Sequence, residues 1–212
     1  MVRRQIDKKK YITILSATTL IFLVGIMLGQ QIAEARINEV IQFEDALGEE
    51  ALALDLKKEL LAENICEIDV LDSFREKNVL GERLSLLEAR LGSDDQQVQK
   101  LKNKYSLLSI QQYLLVKQYK EECDDSVSII LFFYSNEDAK AESKAQGGAL
   151  DYVYSRHPDD TVIYAFDINI KNPATTSLME LNNIKSAPSV VINGALHQGV
   201  LSASEVEALF KD

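Results

Sequence analysis

Past Cys123 the chain contains no cysteine, and only Cys66 precedes it. The last 89 residues therefore hold no thiol, and thiol–disulfide exchange cannot be carried out within them. Histidine is equally scarce, with His157 and His197 alone. A serine nucleophile needs a base within reach. His157-Pro158 reads as a helix end and His197 as a hairpin residue, so a hydrolytic Ser143 is not expected. Residues 31–122 contain no proline, which removes the strongest helix breaker from that stretch. Gly147-Gly148 lacks the glycine and lysine pattern that cradles phosphate, and it is read instead as close packing of a helix on a sheet. Asp124-Asp125, Asp159-Asp160 and Asp167-x-Asn169 match no calcium loop and are read as solvated carboxylates, so no metal and no cofactor is expected. There is no internal repeat and no low-complexity segment.

Charge is unevenly distributed. Arg3, Arg4, Lys8, Lys9 and Lys10 face only Asp7 in the first ten residues, whereas the remaining 202 carry 18 basic against 32 acidic groups. A body this acidic repels phosphate backbones and excludes nucleic acid as a partner. Tyr11 to Ala33 carries no charged side chain. As a helix, its apolar part from Tyr11 to Leu28 spans roughly 27 Å, close to the thickness of a bilayer core. The reading is a basic tail at 1–10 and a transmembrane signal-anchor at 11–30, with the N-terminus cytoplasmic and the remainder outside the cell membrane. The alternative is secretion after cleavage near Ala35, since Ala33-Glu34-Ala35 fits a small-x-small site, although the apolar run exceeds the usual signal length.

Residues 31–122 have helix composition: Leu, Glu, Lys, Gln and Ala with few β-branched clusters. A first helix keeps a seven-residue apolar spacing through Ala33, Val40, Leu47, Leu54 and Leu61, with Gly48 as its weak point. A second is expected from about Ile68 to Leu91, closed by Gly92. Ser93-Asp94-Asp95 then offers a turn and an N-cap. The third carries Val98, Leu101, Tyr105, Leu108, Gln112, Leu115 and Tyr119, spaced alternately by three and four as in a coiled coil. Either these helices form a hairpin within one chain, or the seam makes a homodimer through the arm.

Cys66 and Cys123 lie symmetrically about the 93–95 turn, so an antiparallel hairpin brings the two thiols together at its open end. That geometry predicts a structural disulfide, which an exported chain permits. Free thiols and a redox pair are the alternatives. Neighbouring Glu121, Glu122, Asp124 and Asp125 on one side and Glu63, Glu67 and Asp69 on the other disfavour thiolate, contrary to what a reactive pair needs.

Beyond the arm, at 125–212, apolar runs predict strands at 127–134, 161–167, 189–193 and 196–199, alternating with helices at 139–156, 175–184 and 202–211. The first two strands are nearly continuous apolar runs, as in a sheet covered on both faces. Asn193-Gly194 signals a two-residue hairpin. The order is βαβαββα. Ala187-Pro188-Ser189-Val190-Val191-Ile192-Asn193-Gly194 resembles the thioredoxin superfamily, in which a cis-proline precedes the third strand and lies beside the active-site loop. The resemblance covers about the last 86 residues. It implies an α/β thioredoxin-like domain, a cis Ala187–Pro188 bond and a binding groove formed by Ala187, Pro188 and Ser189. The family's C-x-x-C motif opens the helix after the first strand, where a helix N-terminus stabilises thiolate. Set by Gln146-Gly147, the two cysteine positions fall on Lys140 and Ser143.

The expected function is a membrane-anchored, redox-inactive module that binds protein clients or partner subunits as an adaptor or chaperone-like protein. Two alternatives stand beside it. One is a thiol–disulfide oxidoreductase using Cys66 and Cys123 or a cysteine-bearing partner, and the other is a structural coiled-coil stalk.

Overall fold

The computed structural model describes residues 8–60, 65–67, 71–123 and 126–210. Arg3, Arg4 and Asp7 of the basic tail, the expected helix start at Ile68, and Asp124-Asp125 lie outside the described residues. The chain divides into two compact units, one ending at Asp45 and one running from Ala46 onward.

The described part of the first unit belongs to α1, Lys8–Leu60, whose apolar early part is long enough to cross a membrane. Its polar side chains cost little there because the helix satisfies them. The hydroxyls of Thr13, Ser16, Thr18 and Thr19 donate to the carbonyls of Lys9, Ile12, Ile14 and Leu15, at 2.8–3.0 Å.

The second unit begins within α1. Leu47 and Leu54, two steps of the seven-residue spacing, are buried, and Gln111 Nε2 donates to Asp55 Oδ1 at 3.1 Å, tying α1 to α3. Gly48 does not interrupt the helix; its Cα faces open space. A short 3₁₀ turn, Ile65–Glu67, leads to α2, Leu71–Leu91, and α3, Gln96–Glu122. The hairpin turn is made as its residues dictate. Gly92 takes φ +96, which closes α2. Asp95 caps α3 by accepting from the amides of Gln97 and Val98 at 2.8 and 3.2 Å. At the open end Cys66 and Cys123 are joined by a disulfide across 57 residues, with Cα atoms 5.4 Å apart.

Four strands follow: β1 Ser128–Tyr134, β2 Thr161–Asp167, β3 Ser189–Ile192 and β4 Ala195–Gln198, in the spatial order β2-β1-β3-β4. β1 and β2 are parallel, and the other pairs are antiparallel. The intervening helices are α4 Lys140–Arg156, α5 Pro173–Leu181 and α6 Ala203–Ala208. Asn193 and Gly194 take φ +49 and +90 in the β3–β4 turn, and the Asn193 side chain accepts from the Ile129 amide at 3.0 Å. One face of the sheet presents Ile130, Phe132, Val190 and Ile192 to Leu150 and Val153 of α4 and Val206 of α6. Each such fully buried side chain contributes about 1.5–3 kcal/mol. The opposite face presents Leu131, Phe133, Tyr164, Phe166 and Val191, all buried.

That opposite face corrects the expected division at 122–125. The helical arm is not a separate stalk; from Ala46 on, helices and sheet cluster as one unit. The reason lies in α3, which buries two adjoining rows where a coiled-coil seam would bury one. Val98, Leu101, Leu108, Gln112 and Leu115 form the expected seam, and Lys102, Ser106, Ser109 and Val116 are buried beside it. α3 meets α2 along the hairpin and also meets β2 and α5. Tyr113 packs edge-on against Tyr164, with ring centroids 6.0 Å apart. The chain thus fills its own seam.

Two glycine assignments also change. At Gly147 a Cβ would sit 3.7 Å from Phe132, an ordinary contact, and at Gly148 it would meet nothing, so neither is required by close packing. The close approach is at Gly81 of α2, where a Cβ would fall 2.5 Å from the Tyr105 hydroxyl.

Candidate functional site

In an open sheet with parallel β1 and β2, the carboxyl ends of these strands form the natural place for a site. The loop leaving β1 runs from Ser135 to Ala139 and opens α4 at Lys140. Lys140 is exposed at the first helical position. Ser143, one turn on, is 5% exposed, and its hydroxyl accepts from the Ser135 amide at 3.1 Å. Ser135 in turn donates its hydroxyl to Asn169 Oδ1 at 2.8 Å and accepts from the Glu137 amide at 3.1 Å. Ser143 is therefore a structural pin of the loop. Fourteen residues of α4 separate it from His157, a rise of about 21 Å, so that imidazole cannot serve as its base.

Across the sheet, β1 and β3 pair up to Phe133 and Ser189, so the next residues in register are Tyr134 and Pro188. The Ala187–Pro188 bond is cis. The three expected groove residues differ sharply in access. Ala187 is half-buried, Pro188 is buried, and Ser189 is fully buried, with its hydroxyl donating to Ser186 O at 2.7 Å. The Pro188 carbonyl accepts from the Gly199 amide at 2.9 Å. The outward residues here are Ser186 and Ala187, whereas Pro188 and Ser189 are buried, Ser189 because both faces of the sheet are covered along the whole of β3.

A buried polar network closes the site from the hairpin side. Lys102 Nζ contacts Asp167 Oδ2 at 2.5 Å and Glu88 Oε1 at 3.0 Å, and both Lys102 and Asp167 are only 3% exposed. Glu88 also accepts from Asn136 Nδ2 at 2.7 Å, which fastens α2 to the loop itself. Asp167 Oδ1 accepts from the Asn169 amide at 3.0 Å. Asp167-x-Asn169 is thus a turn and ion-pair element and not a solvated carboxylate; Asp159, by contrast, is exposed opposite Arg75 at 3.3 Å. Beside the network, burial pushes the Tyr134 phenol well above its ordinary range, helped by the negative charge of Asp167 and Glu88. That hydroxyl stays protonated at neutral pH. Among the described residues no three His, Cys, Asp or Glu side chains are grouped as metal ligands.

The disulfide lies at the other end. α3 runs from Lys102, at the carboxyl end of β2, to Cys123, beyond the start of β1; twenty-one residues of helix rise about 31 Å. The sulfur pair and the β1 loop are thus at opposite ends of the strands. A further residue escaped sequence reasoning. Lys77 of α2 is 1% exposed, with Nζ 4.4 Å from the Tyr164 ring centroid and 5.5 Å from that of Tyr105. Burial lowers its ammonium to about 7, against the pull of the rings for the charged form.

No protein-family model matches the chain, and no curated protein matches it in sequence. Among solved structures it is similar to chloroplastic thioredoxin z, at 14% identity and a TM-score of 0.35, over 45% of this chain and 86% of that one.

Proposed function

We propose that this chain is a membrane-anchored, thioredoxin-like protein without redox activity, with its N-terminus in the cytoplasm and the unit from Ala46 outside, and that it binds protein partners at the surface formed by Ser186 and Ala187 beside Pro188. The observation that carries the reading is the state of the β1 loop. Of the two positions where a thioredoxin-type enzyme would carry its cysteines, the exposed one at the start of α4 is Lys140, which offers no thiolate, and the second, Ser143, is buried and engaged by the Ser135 amide. The loop is locked by its own hydrogen bonds and by Asn136–Glu88, so what is left for it to do is to hold the neighbouring surface in shape. The βαβαββα order after residue 127 and the βαβ start at the centre of the sheet support a thioredoxin-like scaffold. The uncharged run in α1 and the basic residues before it support the anchor and its direction.

The test is photocrosslinking in intact membranes from a benzoylphenylalanine placed at Ser186, which is exposed, with the same probe at exposed Tyr152 as control. Discrete protein adducts from Ser186 and none from Tyr152 are expected. Equal or absent adducts at both sites would remove the binding role. The oxidoreductase reading predicts insulin reduction that is abolished by Cys66→Ser. The separation of Cys123 from the loop argues against it, because the disulfide has no share in the surface beside Pro188.

A further inference from the structure

The hairpin covers the second face of the sheet incompletely. α5 is nine residues long and ends at Leu181, and its C-cap Asn182 reaches the edge of the uncovered part. Between the last turns of α3 and the β3–β4 turn remains a cleft of about 230 Å³, lined by Ile129, Leu131 and Val191 of the sheet and by Tyr113 of α3. This is below the roughly 300–1,000 Å³ of drug-sized or cofactor sites and matches one ring or a short alkyl group. Asn182, after α5, and Asn193, in the β3–β4 turn, add neutral polar groups to its lining, and the charged groups are all on α3. Lys117 and Lys120, one turn apart on α3, both line it, accompanied by Glu121. Lys120 is committed, since its Nζ donates to the Val127 carbonyl at 2.6 Å. Lys117 meets Glu121 at 3.8 Å with both side chains at least half exposed, a weak pair that a better acceptor displaces.

We infer that this cleft binds a small apolar carboxylate, its aryl or alkyl group over Ile129, Leu131 and Val191 and its carboxylate on Lys117. Two ammonium groups against one carboxylate at the rim stand out in a chain whose net charge is −10. The apolar floor supplies the affinity through burial, and the charge-assisted hydrogen bond to Lys117 fixes orientation. The site is separate from the surface beside Pro188, at the opposite end of β1.

The experiment is methyl NMR of the full chain in zwitterionic lipid nanodiscs, titrated with 3-phenylpropionate and, separately, with its neutral amide. Expected are saturable shifts at the methyls of Ile129, Leu131 and Val191, with the amide about tenfold weaker. Lys117→Gln weakens the carboxylate about fivefold, and Lys171→Gln, at an exposed lysine elsewhere, leaves it unchanged. The inference is overturned if none of the three methyls shifts by about 10 mM probe, if the amide binds as tightly as the carboxylate, or if Lys171→Gln weakens binding as much as Lys117→Gln. Both substitutions are on the surface and leave the fold intact.

Discussion

The two ends of β1 lie beside opposite ways of fastening the helical hairpin. At the carboxyl end the junction is polar and buried: Lys102, Asp167, Glu88 and Asn136 join both hairpin helices to the ends of both parallel strands. At the amino end the hairpin is held by a covalent bond between Cys66 and Cys123, and the face beside it stays partly open as the Lys117 cleft. The first arrangement depends on every partner being in place, because a buried charge that loses its partner is strongly destabilising. The second restricts the unfolded chain and leaves native packing free to be incomplete. The two sulfur atoms thus lie at the end that is fastened covalently, away from the loop that leaves β1.

The largest expected effect comes from breaking the polar end. Lys102→Met leaves Asp167 buried without its cation, and a loss of about 3–5 kcal/mol in unfolding free energy is expected by urea denaturation. A loss below about 1 kcal/mol would mean that water reaches the pair. At the other end, Cys66→Ser with Cys123→Ser is expected to cost about 2–4 kcal/mol and to leave the far-end network intact, as read by amide protection of Asn169. Between the two ends lies Lys77. Its folded-state pKa, lowered to about 7 from 10.5, means that the native state binds fewer protons than the unfolded chain across that interval. Stability therefore rises with pH from about 7 towards 10.5. Melting followed from about pH 7 to 9.5, short of tyrosine titration, checks the slope. Lys77→Met should flatten it and stabilise the fold at neutral pH by roughly 2 kcal/mol. The smallest effect is expected at Gly48, exposed within α1 and open around its Cα, where Gly48→Ala should add about 0.5–1 kcal/mol.

Much of this architecture is written locally. Continuous apolar runs locate β1 and β2 to within a residue, Asn193-Gly194 marks the β3–β4 turn, and the symmetric placement of two cysteines about residues 93–95 is enough to pair them. Asn172-Pro173 carried a usable signal as well. Asn172 caps α5 by accepting from the Ala174 amide at 2.8 Å, with Pro173 at the first helical position, so the helix begins two residues before the expected 175. It also ends early, because Asn183 turns to φ +56. What local pattern does not carry is the docking of the hairpin. Lys102 looks like a solvated neighbour of Leu101 until Asp167 arrives from 65 residues away, and nothing around Lys77 announces Tyr164. The burial of Ser189 is of the same kind, since it depends on what covers the second face. Of the three residues expected at the groove, Pro188 and Ser189 are buried for this reason and Ala187 is half-buried.

The central claim is that binding beside Pro188 proceeds without sulfur. Photocrosslinking from Ser186 in a chain carrying Cys66→Ser and Cys123→Ser, in intact membranes, tests it most directly. The account predicts the same adducts as in the unaltered chain; adducts that vanish with the two cysteines would contradict it.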